Sequence, residues 1–250
     1  MDVTWIPFAF PGIPNVACAF QTRAGGPFGN DFAGGNISLE VGDDASAVVA
    51  ARRALQDGLG FESWQEVRQV HGEQVIFEPE PGDIERAGSI EADGLATTRP
   101  GQALVIKSAD CQPVMLAHIS GKFVAALHVG WRGNVLRFPR LGARAFCEEY
   151  EINPADVLAV RGPSLGPGAS EFKEFETEFG ERFRPYYRPE TRKVDLWRLT
   201  REQLEAAGLL PENIFSLDLC THSLPDMFFS YRRAKVCGRQ ASLIWIGKNR

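Results

Sequence analysis

The chain has 250 residues, 44% hydrophobic and 24% charged, with a formal net charge of −5. That composition suits one large core or two smaller ones, and it argues against broad electrostatic capture of DNA or RNA. No apolar run approaches the roughly 18 residues of a membrane span, and the N-terminus carries no basic stretch of the kind that opens a secretory signal.

From the N-terminus, Pro7, Pro11 and Pro14 interrupt the apolar opening, and Asn15 to Gln21 predicts a first strand. Ser46 to Leu59 reads as a helix with a serine start and Gly60 just past its end. A strand over Gln74 to Phe77 precedes a Pro/Gly-rich polar stretch, Glu78 to Gly88, that reads as a surface loop. Ala103 to Lys107, Val114 to Ile119 and Phe123 to Val129 follow as strands, the last two joined by a hairpin at Ser120-Gly121. Pro139 to Tyr150 is a helix whose proline suits the first turn. A strand at Val157 to Val160 leads to helices over Ser170 to Phe183 and Thr200 to Ala207. Strands at Ile214 to Leu219 and Ala241 to Ile246 close the chain. Strands and helices without strict βαβ alternation predict an α+β fold: mixed β-sheets in a layered sandwich flanked by helices, as a single domain over residues 1–250.

The five cysteines are odd in number and widely spaced, which points to reduced thiols and a cytoplasmic protein. Most read as small core hydrophobes. Cys111 is different. It lies in Lys107-Ser108-Ala109-Asp110-Cys111-Gln112-Pro113, where one apolar run ends and the next begins. The four histidines include two in comparable settings: His71 in Gln69-Val70-His71-Gly72, and His128 in Leu127-His128-Val129-Gly130-Trp131-Arg132-Gly133. Two imidazoles and one thiolate form a catalytic zinc set with an open fourth position. The ion then acts as a Lewis acid or lowers the pKa of a bound water to about 7. The spacing is long-range, and the same residues also fit two strand-end histidines beside a buried cysteine.

The segments QVHGEQV (69–75), ADGLATT (92–98), KSADCQPVML (107–116), AALHVGWRG (125–133), GPSLGPG (162–168) and FFSYRRAKVCGRQASLIWI (228–246) occur in order. Together with FQTRAGG (20–26) and GNISLEVGDD (35–44), they resemble the laccase-domain family, also called multicopper polyphenol oxidase-like. The resemblance implies zinc-dependent phosphorolysis of adenosine, inosine, guanosine or methylthioadenosine, with adenosine deaminase activity. It implies purine nucleosides and phosphate as partners, with no nucleic acid and no membrane. It places the catalytic and metal-binding roles on His71, Cys111 and His128. Arg23 matches the arginine of the family's R-x-G-G element, and Gly25-Gly26 would let backbone amides approach an anion. Arg132 could meet an anion or the ribose, and Asp110 could orient substrate or cap its loop. These three are the candidate substrate-binding residues. The chain departs from the family at Asn134 to Pro139 and at Ser170-Glu171-Phe172.

Other residues carry weaker readings. Asp93 in Ala-Asp-Gly reads as a turn residue more readily than as a partner of the site. Asn36 reads as structural, His222 as an exposed loop histidine and His118 as solvated. Trp131 either covers the site or packs; Arg232 and Arg233 hold acidic side chains or substrate.

Four histidines are too few for a mononuclear and a trinuclear copper centre together. A lone blue-copper site with Met115 as axial ligand fails on reach, since four residues along a strand span about 13 Å. Copper binding in place of zinc remains compatible with the donors. Two further readings compete: a metal-free cysteine hydrolase with Cys111 as nucleophile and His128 as base, and a non-catalytic metal-binding protein.

Overall fold

The structure is a computed structural model that describes residues 3–23 and 31–248. Among the described residues thirteen strands run in chain order: β1 Thr4–Ala9, β2 Val16–Thr22, β3 Ser63–Gln65, β4 Val75–Phe77, β5 Gly94–Thr97, β6 Gln102–Ser108, β7 Gln112–His118, β8 Val124–Val129, β9 Val157–Arg161, β10 Tyr187–Arg188, β11 Lys193–Val194, β12 Ile214–Ser216 and β13 Gln240–Ile246. The α-helices are α1 Ala45–Leu59, α2 Trp131–Val135, α3 Phe138–Glu149, α4 Phe175–Glu178 and α5 Leu196–Glu205. One sheet has the order β1-β2-β13-β6-β3; a second has β12-β9-β7-β8-β5-β4. The pairs β3–β6, β4–β5 and β12–β9 are parallel and the other pairs within these two sheets are antiparallel, so both sheets are mixed.

Period-2 alternation assigns each strand face to a layer. Cys18, Phe20, Leu104, Ile106 and Ile244 of the first sheet meet Met115, Ala117, Val124, Ala126 and Val160 of the second in a core between the sheets. The opposite face of the second sheet, Val114, Leu116, Leu127 and Val129, packs on Phe138, Ala143 and Phe146 of α3 and Leu204 of α5. The outer face of the first, Ala19, Val105, Leu243 and Trp245, packs on Ala51 and Leu55 of α1. The α+β layered sandwich flanked by helices is therefore the observed architecture. Among the described residues no helix is long and apolar enough to cross a membrane.

Two local readings needed correction. The helix expected over Ser170 to Phe183 is only α4 followed by a 3₁₀ segment, Glu181–Tyr186. Gly180, at φ +82°, breaks the run. Phe172, Phe175, Phe179 and Phe183 imitate helical periodicity but gather into their own cluster with Val194, Leu196 and Leu199. The helix placed at Thr200 begins a turn earlier, because the Asp195 carboxylate accepts from the Arg198 N–H at 3.0 Å and caps α5. The strand β1 contains Pro7, and it sits at the sheet edge, where a missing N–H is tolerated.

One buried ionic hub secures α1 and the Glu78–Gly88 loop. Arg52, fully buried, donates to the carbonyls of Ile37 (2.8 Å), Ile84 and Arg86 (3.0 Å each) and pairs with Glu66 at 2.9 Å. Glu66 also accepts from Trp64 Nε1 and Gly88 N–H, and from Lys107 Nζ at 3.1 Å. Arg52→Met leaves Glu66 with one less cation and strips three carbonyls of their donors. The expected loss is about 3 kcal/mol or more, read as a lowered urea midpoint at unchanged m-value.

Candidate metal centre

Strand order brings the site together. β7, β8, β5 and β4 are consecutive neighbours, and Cys111, His128, Asp93 and His71 lie at or just beyond one end of those four strands. Cys111 directly precedes β7, Asp93 directly precedes β5, and His128 is the penultimate residue of β8. His71 lies four residues before β4, in a loop that turns back over the sheet.

Asp93 makes that return possible. Its buried carboxylate accepts the N–H groups of Val70 (3.2 Å), His71 (3.0 Å) and Gly72 (2.6 Å). These bonds hold His71 at φ +60°, a left-handed conformation a histidine rarely adopts. The same carboxylate accepts Nδ1–H of His128 at 2.7 Å. That bond assigns the His128 tautomer and leaves Nε2, on the Cys111 side, as the atom whose lone pair would ligate a metal. The His71 and His128 rings stand edge to face, with centroids 4.8 Å apart and planes at 72°. Gly130 completes the packing, since a Cβ there would lie 2.8 Å from His71 Cδ2 and 3.1 Å from Cys111 Sγ.

Cys111 Sγ is 3.7 Å from His71 Nε2, and the donor atoms of His71, Cys111 and His128 all lie within 4.8 Å of one another. Tetrahedral zinc, with bonds of about 2.3 Å to sulfur and 2.0–2.1 Å to nitrogen, sets donors roughly 3.3–3.7 Å apart. The three therefore fit an ion after a small contraction. His128 is buried while His71 and Cys111 are half-buried, so the set opens on one side.

The electrostatics agree. Burial opposes ionisation of the Cys111 thiol, but the charge and hydrogen bonds of His128 and His71 outweigh it and hold the thiol well below its usual range. Burial equally opposes charge on His128, yet Cys111 and Asp93 raise its pKa. For Asp93, burial is again opposed, by His128 and the loop amides, and its carboxyl falls below the ordinary carboxylate range. Both shifts favour a Cys111 thiolate beside a protonated His128 when no ion is bound.

The site opens into a cavity of about 840 Å³. His71, Cys111, His128, Asp110 and Arg132 all line it. Asp110 is at φ +98°, and its carboxylate is taken up by Thr221 Oγ1 (2.7 Å) and the Arg232 N–H (2.6 Å), so it clamps the Cys111 loop to two other segments. Arg132 stacks over Trp131 at 4.4 Å from the ring centroid. Arg23 is not among the cavity-lining residues: Nη2 donates to the Ala33 carbonyl at 3.0 Å and the guanidinium lies 4.6 Å over Phe229. Gly25 and Gly26 lie outside the described residues. Arg232 lines the cavity, whereas Arg233 braces the carbonyls of Thr221, His222 and Phe228. Asn36 is structural, bonded to Ser38, Asp43 and Arg239.

Sequence reasoning undervalued Asp93, whose only signal was an acid followed by glycine at the start of a buried strand. It also passed over Lys173, Leu196 and Lys235, which reach the cavity from distant segments, as does Phe172 of the segment where the chain departs from the family.

The chain is similar to known proteins over most of its length. A family model described as multi-copper polyphenol oxidoreductase laccase matches residues 17–247. A protein named purine nucleoside phosphorylase from Xylella fastidiosa is 37% identical over 228 residues, covering 85% of this chain and 84% of the relative. Purine nucleoside phosphorylase YfiH of Escherichia coli is 32% identical over 249 residues, covering 95% and 96%. The crystal structure of YlmD from Geobacillus stearothermophilus superposes with a TM-score of 0.87 at 28% identity, covering 98% of this chain and 96% of that one.

Two outcomes follow. Asp93→Asn should lower metal affinity about 10- to 100-fold while the protein stays folded, read by competition with a chromogenic chelator. In metal-free protein, Cys111 should be alkylated at a rate that stays on its plateau at pH 7 and falls only well below the ~8.5 of a free thiol, and added zinc should slow the reaction.

Proposed function

Since the chain belongs to the multi-copper polyphenol oxidoreductase laccase family, we propose that it is a zinc-dependent purine nucleoside phosphorylase that also deaminates adenosine, acting as one domain over residues 1–250. The observation that carries this reading is the open His71, Cys111 and His128 set at the wall of a cavity large enough for a nucleoside and an anion. The substrates are adenosine, inosine, guanosine and methylthioadenosine, with phosphate.

His71 Nε2, Cys111 Sγ and His128 Nε2 would hold the ion, which when bound would supply Lewis-acid stabilisation and a more acidic water. Asp93 keeps the His128 proton on Nδ1 and the His71 loop closed. Arg132 offers two parallel donors to phosphate, and Arg232, Lys173 and Lys235 add positive charge to the same cavity. Trp131, Leu165, Phe172 and Leu196 exclude water and pack the flat faces of a base. Asp110 acts by fixing the Cys111 loop and Arg232 beside the substrate. Five free cysteines suit a reducing, cytoplasmic setting.

Copper-dependent phenol oxidation is disfavoured by the donor count. Met115, the candidate axial ligand, is sealed in the core between the sheets. The second reading, a cysteine hydrolase, is favoured by the thiolate–imidazolium pair. Alkylation separates the two, because zinc protects a ligating thiolate and leaves a metal-free nucleophile as reactive as before.

Zinc-loaded protein should release base from inosine and adenosine only when phosphate is present, and should form inosine from adenosine without it. His71→Ala should lose bound metal and at least about a hundredfold in kcat/KM. Base release at equal rates with and without phosphate, or none from any of the four nucleosides, would overturn the assignment.

A further inference from the structure

Among the described residues, Ser108, Gln112 and Glu178 of the cavity lining hold four buried side-chain nitrogen and oxygen atoms that lack a hydrogen-bond partner. Gln112 contributes two, because both Oε1 and Nε2 are unpaired. It opens β7 directly after Cys111 and is 1% exposed. A carboxamide buried with neither end bonded destabilises a fold, and an apolar residue of the same shape would avoid the loss.

The neighbouring polar groups are committed elsewhere. Gln69 bonds both ends of its amide to the Lys107 backbone at 2.8 Å. Lys107 Nζ is held by Glu40 and Glu66, and Asp110 by Thr221 and Arg232. Gln112 is thus the cavity's uncommitted neutral group with a donor and an acceptor side by side. The apolar residues that could pack a planar ring, Trp131 and Leu165 among them, line the same space.

We propose that Gln112 reads the edge of the purine and favours 6-aminopurines over 6-oxopurines, an inference that rests on the nucleoside reading above. Adenine presents an acceptor at N7 beside a donor at the 6-amino group, which a carboxamide pairs with at both atoms. A 6-oxopurine presents two acceptors on that edge and leaves Gln112 Oε1 unpaired. The hydroxyl of Ser108 has a single oxygen with which to span the two positions. An ionised Glu178 has only acceptors, so it cannot pair with N7.

The test is calorimetric titration of the 9-methyl derivatives of adenine, hypoxanthine and purine, which fix N7 as an acceptor, into the zinc-loaded wild type and Gln112→Met, with Tm measured for both. The wild type should bind adenine most tightly. Gln112→Met should lose about tenfold or more for adenine and little for the other two. Its Tm should be unchanged or higher, since an unmet polar group has been removed. Gln112→Leu should behave alike. A lowered Tm with equal loss for all three bases would make Gln112 structural, or the holder of a buried water. Unchanged adenine affinity, or a wild type that does not prefer adenine, would sink this inference and leave the nucleoside reading standing. A wild type that binds none of the three bases would sink both.

Discussion

The site depends on one buried carboxylate. Asp93 accepts three consecutive backbone N–H groups from residues 70–72 and the Nδ1–H of His128. Charge in a dry interior is costly unless paired and fully hydrogen-bonded. Four donors meet that condition, and they also hold Asp93 ionised. The same four bonds decide where two of the three metal donors point. Loss of the carboxylate would release the His71 loop from its left-handed turn and free the His128 ring to change tautomer.

Strand spacing shows why such a clamp is required. Neighbouring strands lie about 4.8 Å apart, so the outer strands of the β7-β8-β5-β4 row are separated by roughly 14 Å. Cys111 enters one of these outer strands and His71 precedes the other, yet their donor atoms approach to 3.7 Å. The sheet alone cannot close that distance. The loop before β4 must fold back across β5 and β8, and Asp93, at the start of β5, stands where it can catch the returning amides. Gly130 leaves the space the two side chains need.

The architecture and the convergence of His71, Cys111 and His128 were legible for different reasons. Alternating apolar residues mark both faces of β2, β6 and β13, and three layers of packing follow from that alternation. The trio stood out because histidine is scarce and two of the four copies, like Cys111, abut glycines or strand ends. Asp93 was not legible as a clamp, because Ala-Asp-Gly is equally good turn chemistry and its partners are distant in the chain. The Phe172–Phe183 segment misled because aromatic residues three or four apart serve a compact cluster as well as they serve a helix. Arg23 stood beside a glycine pair that suggested an anion loop, but its described contacts are with Ala33 and the Phe229 ring.

A contrast within the molecule bears on how the cavity wall is to be understood. Arg52 is a buried cation, the harder group to satisfy, and the fold gives it three carbonyls and a carboxylate. The same fold leaves the carboxamide of Gln112 and the hydroxyl of Ser108 unpaired on either side of the Cys111 loop. A chain able to satisfy a buried guanidinium has no general difficulty in pairing polar atoms. Ser108, Gln112 and Glu178 hold their unmet atoms on the cavity, where pairing them internally would fill the donors and acceptors a ligand must find open. Stability sacrificed there is the expected signature of a surface shaped for recognition, and the same cavity is lined by His71, Cys111 and His128.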